Sequence, residues 1–387
     1  MPTESNTLRV LLVAVRYFPY MGGLETHVYE IARRLAHRGV EVTVLTTDVS
    51  GRLPELEDAD GVQIRRVGAW PAKKDYYFAP GIYRFITHGH WDLVHCQGYH
   101  NLVPPLAMLA AWRADIPYIL TFHSGGDVSR LRGMLRGLQR TMLRPLLSRA
   151  QKLIAVSAFE ATFFRERLRL PDEQFVIIPN GSHLPEVQQS TEGATHGADH
   201  DPLIVSIGRL ERYKGHQRVI AALPRVQQQF PNARIRIAGA GPYEAALQKI
   251  ARELGVAEHV EIRAVLPADR EGMASLITRA NLVTLLSQYE AQGIAVLEAL
   301  ALHRPVLVTG TSALQEFADR GLATAISLES TPEEVAMAIV DQLRQPLVPP
   351  NIELPTWDEC AANLLALYQA LLQGGSQDVT RRVSCVS

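Results

Sequence analysis

Leu203-Ile204-Val205-Ser206-Ile207-Gly208-Arg209-Leu210-Glu211-Arg212-Tyr213-Lys214-Gly215 reads as a short β-branched strand, a loop with glycine and three cations, and the start of a helix. Strand, short loop and helix in this order form the unit from which parallel βαβ sheets are built. Downstream the unit repeats. Strands are predicted at 233–238, 260–264, 282–286, 305–308 and 323–327, and helices at 215–229, 243–254, 268–279, 294–302, 312–319 and 332–343. Upstream, the same alternation gives strands at 8–15, 41–46, 62–67, 93–96, 118–122, 152–156 and 175–178, with helices at 24–37, 78–88, 102–113, 129–149 and 158–168 between them. Pro179-Asn180-Gly181 is a turn signal, and residues 183–201 are polar with no apolar periodicity, as in a linker. The expected architecture is α/β: two Rossmann-like, doubly wound parallel-sheet domains at 1–182 and 202–355, facing each other across a cleft at the carboxyl ends of their strands. An amphipathic helix at 356–373 follows, then a polar tail at 374–387 expected to be disordered.

Composition agrees with two cores. The 387 residues exceed what one core commonly serves, and 47% hydrophobic with 20% charged residues is the profile of a globular chain. Residues 1–9 are polar and the apolar run 10–15 is short, so neither a secretory leader nor a membrane span is expected. Cys96, Cys360 and Cys385 are odd in number and far apart, which fits no disulfide framework or zinc site and suggests a reducing, cytoplasmic setting. The net charge of −1 hides an asymmetry: residues 1–182 carry 22 basic and 17 acidic groups, the remainder 17 and 23. Much of the basic excess lies in 129–152, where Arg132, Arg136, Arg140 and Arg144 recur every fourth residue among leucines and no carboxylate occurs. Such a stripe suits anionic lipid or a phosphate-bearing acceptor, and equally a solvated helix face.

Residues able to do chemistry collect in loops that follow strands. Gly22-Gly23 precede a helix whose free N–H groups favour an anion, although tight strand-to-helix turns want glycine anyway. His123, in Thr121-Phe122-His123-Ser124-Gly125-Gly126-Asp127, can hydrogen-bond a hydroxyl or phosphate, yet an isolated histidine is more often structural. Arg209 and Lys214 after Gly208 can converge on a diphosphate. The spacing is not that of a Walker loop, which argues against a P-loop hydrolase. Gly239 and Gly241 form a turn where main chain can face a nucleotide base, without the full dinucleotide fingerprint. The strongest signal is Glu290-Ala291-Gln292-Gly293-Ile294-Ala295-Val296-Leu297-Glu298. It has one carboxylate in a loop, a glycine turn, helix-opening N–H groups at Ile294 and Ala295, and a second carboxylate that can accept from a ribose diol.

In order and spacing, Gly22-Gly23, His123, Arg209 with Lys214, the Glu290 to Glu298 pair, and Pro305-Val306 followed by Gly310 resemble the retaining GT-B glycosyltransferases of family 4 over nearly the whole chain. The resemblance implies a glycosyltransferase that moves a hexose from a nucleoside diphosphate sugar, held by the C-terminal domain, to an acceptor held by the N-terminal domain. That acceptor is expected to be a glycan or lipid-linked intermediate of polysaccharide or glycolipid synthesis. It implies that the glycine loop lies beside donor phosphates, that His123 and Glu290 contact the transferred sugar, that Arg209 and Lys214 bind the diphosphate, that Glu298 binds ribose, and that the last helix returns to the N-terminal domain. No cofactor or metal is implied, the nucleotide sugar being substrate. The partners are the donor, the acceptor and an anionic membrane surface at the cytoplasmic face, with no nucleic acid. Two positions depart from the family pattern: Ala295 replaces a second glycine after Gly293, and His303 replaces a glycine before Pro305. Both bear on donor choice and activity.

The resemblance also implies retention of anomeric configuration, with a donor phosphate oxygen taking the acceptor proton. The alternatives are a phosphorylase of the same architecture and a non-catalytic, membrane-associated scaffold. Asp58-Ala59-Asp60 resembles a metal-binding pair but lies in an acidic stretch read as a solvated turn, and His88, His90 and His95 lack partners that would make a metal site.

Overall fold

The computed structural model describes residues 7–20, 22–71, 78–124, 130–182, 184, 201–266, 269–350 and 352–374, with side chains of 130–136 excepted. The chain divides into two compact units, Met1–Asn180 with Pro355–Ser387, and Gly181–Leu354. The division falls two residues before the expected boundary at 182, and Leu184 already packs in the core of the second unit. Of the polar segment read as a linker, 185–200 lie outside the described residues, as does the tail from 375.

The first unit runs β1 (Arg9–Val13), α1 (Gly23–His37), β2 (Glu41–Asp48), β3 (Leu56–Ala59), β4 (Val62–Gly68), α2 (Pro80–His88), β5 (Leu93–Gln97), α3 (Val103–Arg113), β6 (Tyr118–Thr121), α4 (Arg130–Leu147), β7 (Leu153–Ala155), α5 (Ala158–Leu168) and β8 (Phe175–Ile177). Its sheet order is β3-β4-β2-β1-β5-β6-β7-β8, parallel throughout except for β3. Strands β1, β5, β6 and β7 are buried over nearly their full length, as a parallel sheet covered on both faces requires. β3 corrects the reading of 55–60 as a turn. Leu56 to Ala59 form an antiparallel edge strand on β4, exposed and charged as edge strands commonly are, with Glu57 paired to Arg66 at 2.7 Å. Asp60 sits in the turn that follows and accepts from the Tyr29 hydroxyl.

The second unit runs β9 (Leu203–Ile207), α6 (His216–Val226), β10 (Arg234–Ala238), α7 (Glu244–Glu253), β11 (Val260–Ile262), α8 (Arg270–Arg279), β12 (Leu282–Leu285), α9 (Ile294–Ala301), β13 (Val306–Thr309), α10 (Ser312–Asp319), β14 (Thr324–Ile326) and α11 (Pro332–Arg344). Its parallel sheet has the order β11-β10-β9-β12-β13-β14. The order therefore reverses at β9, as it does at β1 in the first unit. Loops leaving neighbouring strands at such a point diverge and open a crevice in which open α/β sheets bind ligands.

The last helix, α12 (Trp357–Leu372), belongs to the first unit. Thr356 and Glu359 close a capping box at its start. Trp357, Cys360, Ala361, Leu364, Leu367 and Tyr368 are its buried face, at the spacing of one helical stripe. It packs along α1, and Asp358 reaches Arg34 and Arg38 at 3.3 Å. Deeper in, His95 of β5 contacts the Tyr368 hydroxyl through Nδ1 at 2.7 Å and Thr121 through Nε2 at 2.8 Å, so it is a core histidine and not a metal ligand.

Burial drives the pKa values of His27 and His216 down to about 4 and holds those of His95 and His123 well below the usual 6.5. The unfolded chain takes up protons as pH falls through about 6.5, whereas the folded chain resists them until about 4, so stability drops on acidification across that window. At about 1.4 kcal/mol per unit, His27 and His216 alone account for losses on the order of 3 kcal/mol each by pH 4. Glu160, pushed up to about 8 by burial, opposes this with a single group, since its contribution declines as pH rises from its ordinary value toward 8. Urea midpoints measured from pH 7 to pH 4.5 should fall, and His216→Gln should flatten the slope. A flat profile would contradict the burial of these rings as neutral bases.

Candidate active site

In the second unit, the two loops leaving the switch-point strands β9 and β12 are joined main chain to main chain. Gln288 N donates to Tyr213 O at 2.7 Å. Gly215 is what lets them touch. Its φ is +79°, and a Cβ there would stand 1.9 Å from Leu286 O, so any other residue would separate the loops. The side chains repeat the joint: Tyr213 stacks on Tyr289 with centroids 4.8 Å apart, and Lys214 Nζ donates to Glu290 Oε1 at 2.6 Å. Ser287 Oγ donates to that same oxygen at 2.7 Å, while Glu290 N donates to Ser312 Oγ at 2.8 Å. Lys214 and Glu290 thus meet as a largely buried, multiply braced pair, so Glu290 leaves its loop toward Lys214 and is not an unpaired carboxylate.

Gly293 follows at φ +94° and caps α9, whose first N–H groups, Ile294 and Ala295, have no carbonyl one turn earlier to bond. Their positive end lies close in sequence to the Lys214–Glu290 pair and suits an anion. Glu298, one turn into α9, is buried and accepts from Arg270 Nη2 at 2.7 Å. Arg270 opens α8 and went unnoticed in the sequence because nothing local pairs it with a residue 28 positions on. Arg209 is set apart. Its guanidinium is half exposed and pairs with Glu211 at 3.4 Å, leaving it available to a ligand but not joined to Lys214. His216 steadies this turn, with Nδ1 against Ser206 Oγ at 2.8 Å and Nε2 against Arg209 O at 3.2 Å.

Gly239 and Gly241 have a packing reason to be glycine. A Cβ would come within 1.9 Å of Gly208 O at the first and 2.5 Å of Leu210 O at the second, so this turn supports the Gly208 loop from behind. Gly208 itself has φ +149°, in the region that favours glycine.

In the first unit, Gly22 is the extended N-cap of α1 and Gly23 its first residue. One turn later His27 is buried, with Nδ1 against Asn180 Oδ1 at 2.6 Å. Its ring meets that of His123 edge to face at 4.5 Å and that of Trp357 at 5.9 Å. His123 Nε2 pairs with Gln97 Oε1 at 2.8 Å, and its backbone is left-handed at φ +55°. The structure therefore brings α1, through His27, together with His123 and the returning helix in one polar cluster. Gly125, Gly126 and Asp127 lie outside the described residues. Of the arginine stripe, Arg132 and Arg136 have no described side chain. Arg144 is not a free charge, since it caps the end of α5 by donating to Leu168 O and Arg169 O. Arg140 shares with Arg144 and Arg167 a hollow of about 290 Å³ between α4 and α5. Among the described residues no three His, Cys, Asp or Glu gather to hold a metal ion, and no helix is long and apolar enough to cross a membrane.

Comparison with known proteins assigns the same two halves. Residues 21–184 match the family model described as Glycosyltransferase Family 4, and residues 189–351 match Glycosyl transferases group 1. A D-inositol 3-phosphate glycosyltransferase of Nocardiopsis dassonvillei is 27% identical, with 90% of each chain covered. Among solved structures, sucrose-phosphate synthase of Thermosynechococcus elongatus superposes with a TM-score of 0.77 at 20% identity, over 95% of this chain and 100% of that one. Anabaena HepE, solved with UDP and glucose, gives 0.71 at 18% identity over 98% and 100%. With two parallel-sheet Rossmann-like units shared with GT-B structures and both halves matched by the family models, this chain belongs to the family 4 type of GT-B glycosyltransferases.

Proposed function

We propose that the enzyme takes its sugar from a nucleoside diphosphate sugar bound by the second unit and transfers it with retention of anomeric configuration. The observation that carries this reading is the braced Lys214–Glu290 pair beside the start of α9. The UDP and UDP-glucose complexes of Anabaena HepE support a nucleotide sugar as donor. Lys214 and Arg209 would neutralise the charge growing on the departing diphosphate, and the N–H groups of Ile294 and Ala295 would receive a phosphate. Glu290 and His123 would hold hydroxyls of the transferred sugar, and Glu298, oriented by Arg270, would accept from the ribose. A donor phosphate oxygen takes the acceptor proton, so the protein contributes position and fixed charge, and we expect no metal requirement.

The acceptor is proposed to be a glycan or lipid-linked intermediate bound by the first unit. An exposed apolar pair on α4, Leu138 and Met142, lies beside the arginine-lined hollow, which suits an anionic membrane surface. The name of the inositol phosphate relatives supports a small phosphorylated polyol as a second acceptor class.

A thermal-shift panel of UDP, GDP, ADP and their sugars tests the donor directly, because a ligand of the native state raises Tm in proportion to the logarithm of its excess over Kd. One nucleotide series should stabilise the protein, and no shift with any of them would overturn the proposal. Arg209→Ala and Lys214→Ala should each lower turnover by ~10²-fold or more, the scale on which lost oxyanion donors act. Near-normal turnover would remove their role. Glu298→Ala should weaken binding of the stabilising nucleotide by about 10- to 100-fold, equivalent to the ~1.5–3 kcal/mol of a hydrogen bond to a charged group. An unchanged affinity would remove the ribose assignment. Vesicles containing phosphatidylglycerol should sediment the protein at low salt and release it at high salt. Failure to sediment would leave the small phosphorylated acceptor as the reading.

A further inference from the structure

Glu160 is fully buried in the first turn of α5. Its own N–H is capped by Ser157 Oγ at 3.1 Å, and its two carboxyl oxygens each receive a main-chain donor: Ser124 N at Oε1 and Val156 N, 2.8 Å away, at Oε2. Those donors sit just beyond the carboxyl ends of β6 and β7, so one side chain ties the two loops together. Ser124 directly follows His123. The left-handed backbone at His123 is strained for a non-glycine residue and persists only where its surroundings enforce it. Gln97 and His27 restrain the ring, and Glu160 restrains the main chain.

A carboxyl group is an expensive choice for a buried site. Burial raises the pKa of Glu160 to about 8, and the two backbone donors are what pull it back. A glutamine would fill the same space, but its amide carries only one acceptor oxygen and would set an N–H₂ group against the second donor. What the carboxyl group supplies beyond volume is two oxygens at fixed separation, each able to accept from a backbone N–H.

We propose that Glu160 is a positioning residue for sugar transfer, fixing the main chain at Ser124 and thereby the direction in which the His123 imidazole is presented. The inference rests on the reading of His123 as a group that meets the transferred sugar. Glu160 acts through His123, so the two substitutions cannot be independent.

A double-mutant cycle decides the matter. Release of nucleoside diphosphate is followed from whichever of UDP-glucose, GDP-mannose or ADP-glucose the wild type turns over, with the affinity for the free diphosphate measured alongside. Glu160→Gln should lower kcat by about 10- to 100-fold while diphosphate affinity stays within about twofold, and in a His123→Ala background it should cost nothing further. If Glu160→Gln lowers kcat by the same factor with or without His123, its role is structural and the inference fails. If His123→Ala alone leaves kcat unchanged, the reading of His123 fails and the inference falls with it. Urea midpoints establish that each variant is folded, and should Glu160→Gln not fold, Glu160→Asp carries the same cycle with the carboxyl group kept and the reach shortened.

Discussion

Lys214 and Glu290 are 76 residues apart in the chain and 2.6 Å apart in the fold. Their meeting depends on the order of strands in the second sheet. β12 lies directly beside β9 although two βα units, those of β10 and β11, separate them in sequence. The loops that leave the two strands therefore run side by side, and only the absence of a side chain at Gly215 lets them close to hydrogen-bonding distance. The stacked Tyr213 and Tyr289 then hold the flanks of both loops in register. A cation and a carboxylate arranged in this way hold one another in place, with Ser287 as a further point of attachment.

The first unit obtains the same rigidity by a different route. Its cluster is made of neutral polar groups, most of them buried, where each hydrogen bond is strong and each missing one costly. His27, His95 and His123 are all held uncharged by burial, and each has a fixed partner in Asn180, Tyr368 with Thr121, or Gln97. Two of these contacts involve α12, through Tyr368 on His95 and Trp357 on His27. The last helix is thus part of the polar interior and not a strap on its surface, and truncating it would expose the very side chains that steady His123.

Much of the fold was legible because parallel sheets write buried β-branched runs and helical stripes in alternation. The exception, β3, carries neither signal. Leu56-Glu57-Asp58-Ala59 is a charged edge strand whose pairing comes from the position of β4 and not from its own residues. Candidate residues stood out in the sequence where a residue type and its loop suffice to single them out, as with Glu290 and Glu298, and did not where a residue gains meaning from a distant partner. Arg270 braces the Glu298 carboxylate and Ser312 the Glu290 main chain from elsewhere in the chain, as Glu160 and Gln97 do for Ser124 and His123. Arg144 shows the converse. Its every-fourth-residue spacing suggested a free basic face, whereas its guanidinium is spent on the carbonyls ending α5.

The two departures from the family pattern are not alike. His303 has φ +54°, a conformation glycine adopts freely and histidine at a backbone strain on the order of 1 kcal/mol. It lies in the connection from the end of α9 to the start of β13, at the edge of the sheet where strands begin. The loops that carry Lys214 and Glu290 leave from the opposite edge, so His303 is set apart from them. Ala295 stands in the first turn of α9, directly after Ile294, with ordinary helical geometry that demands no glycine. What it changes is space: one methyl group beside the N–H donors that would receive a phosphate. On the proposed reading, Ala295 is therefore the departure placed to bear on donor selection, while the strained turn at His303 bears on how α9 is joined to the sheet.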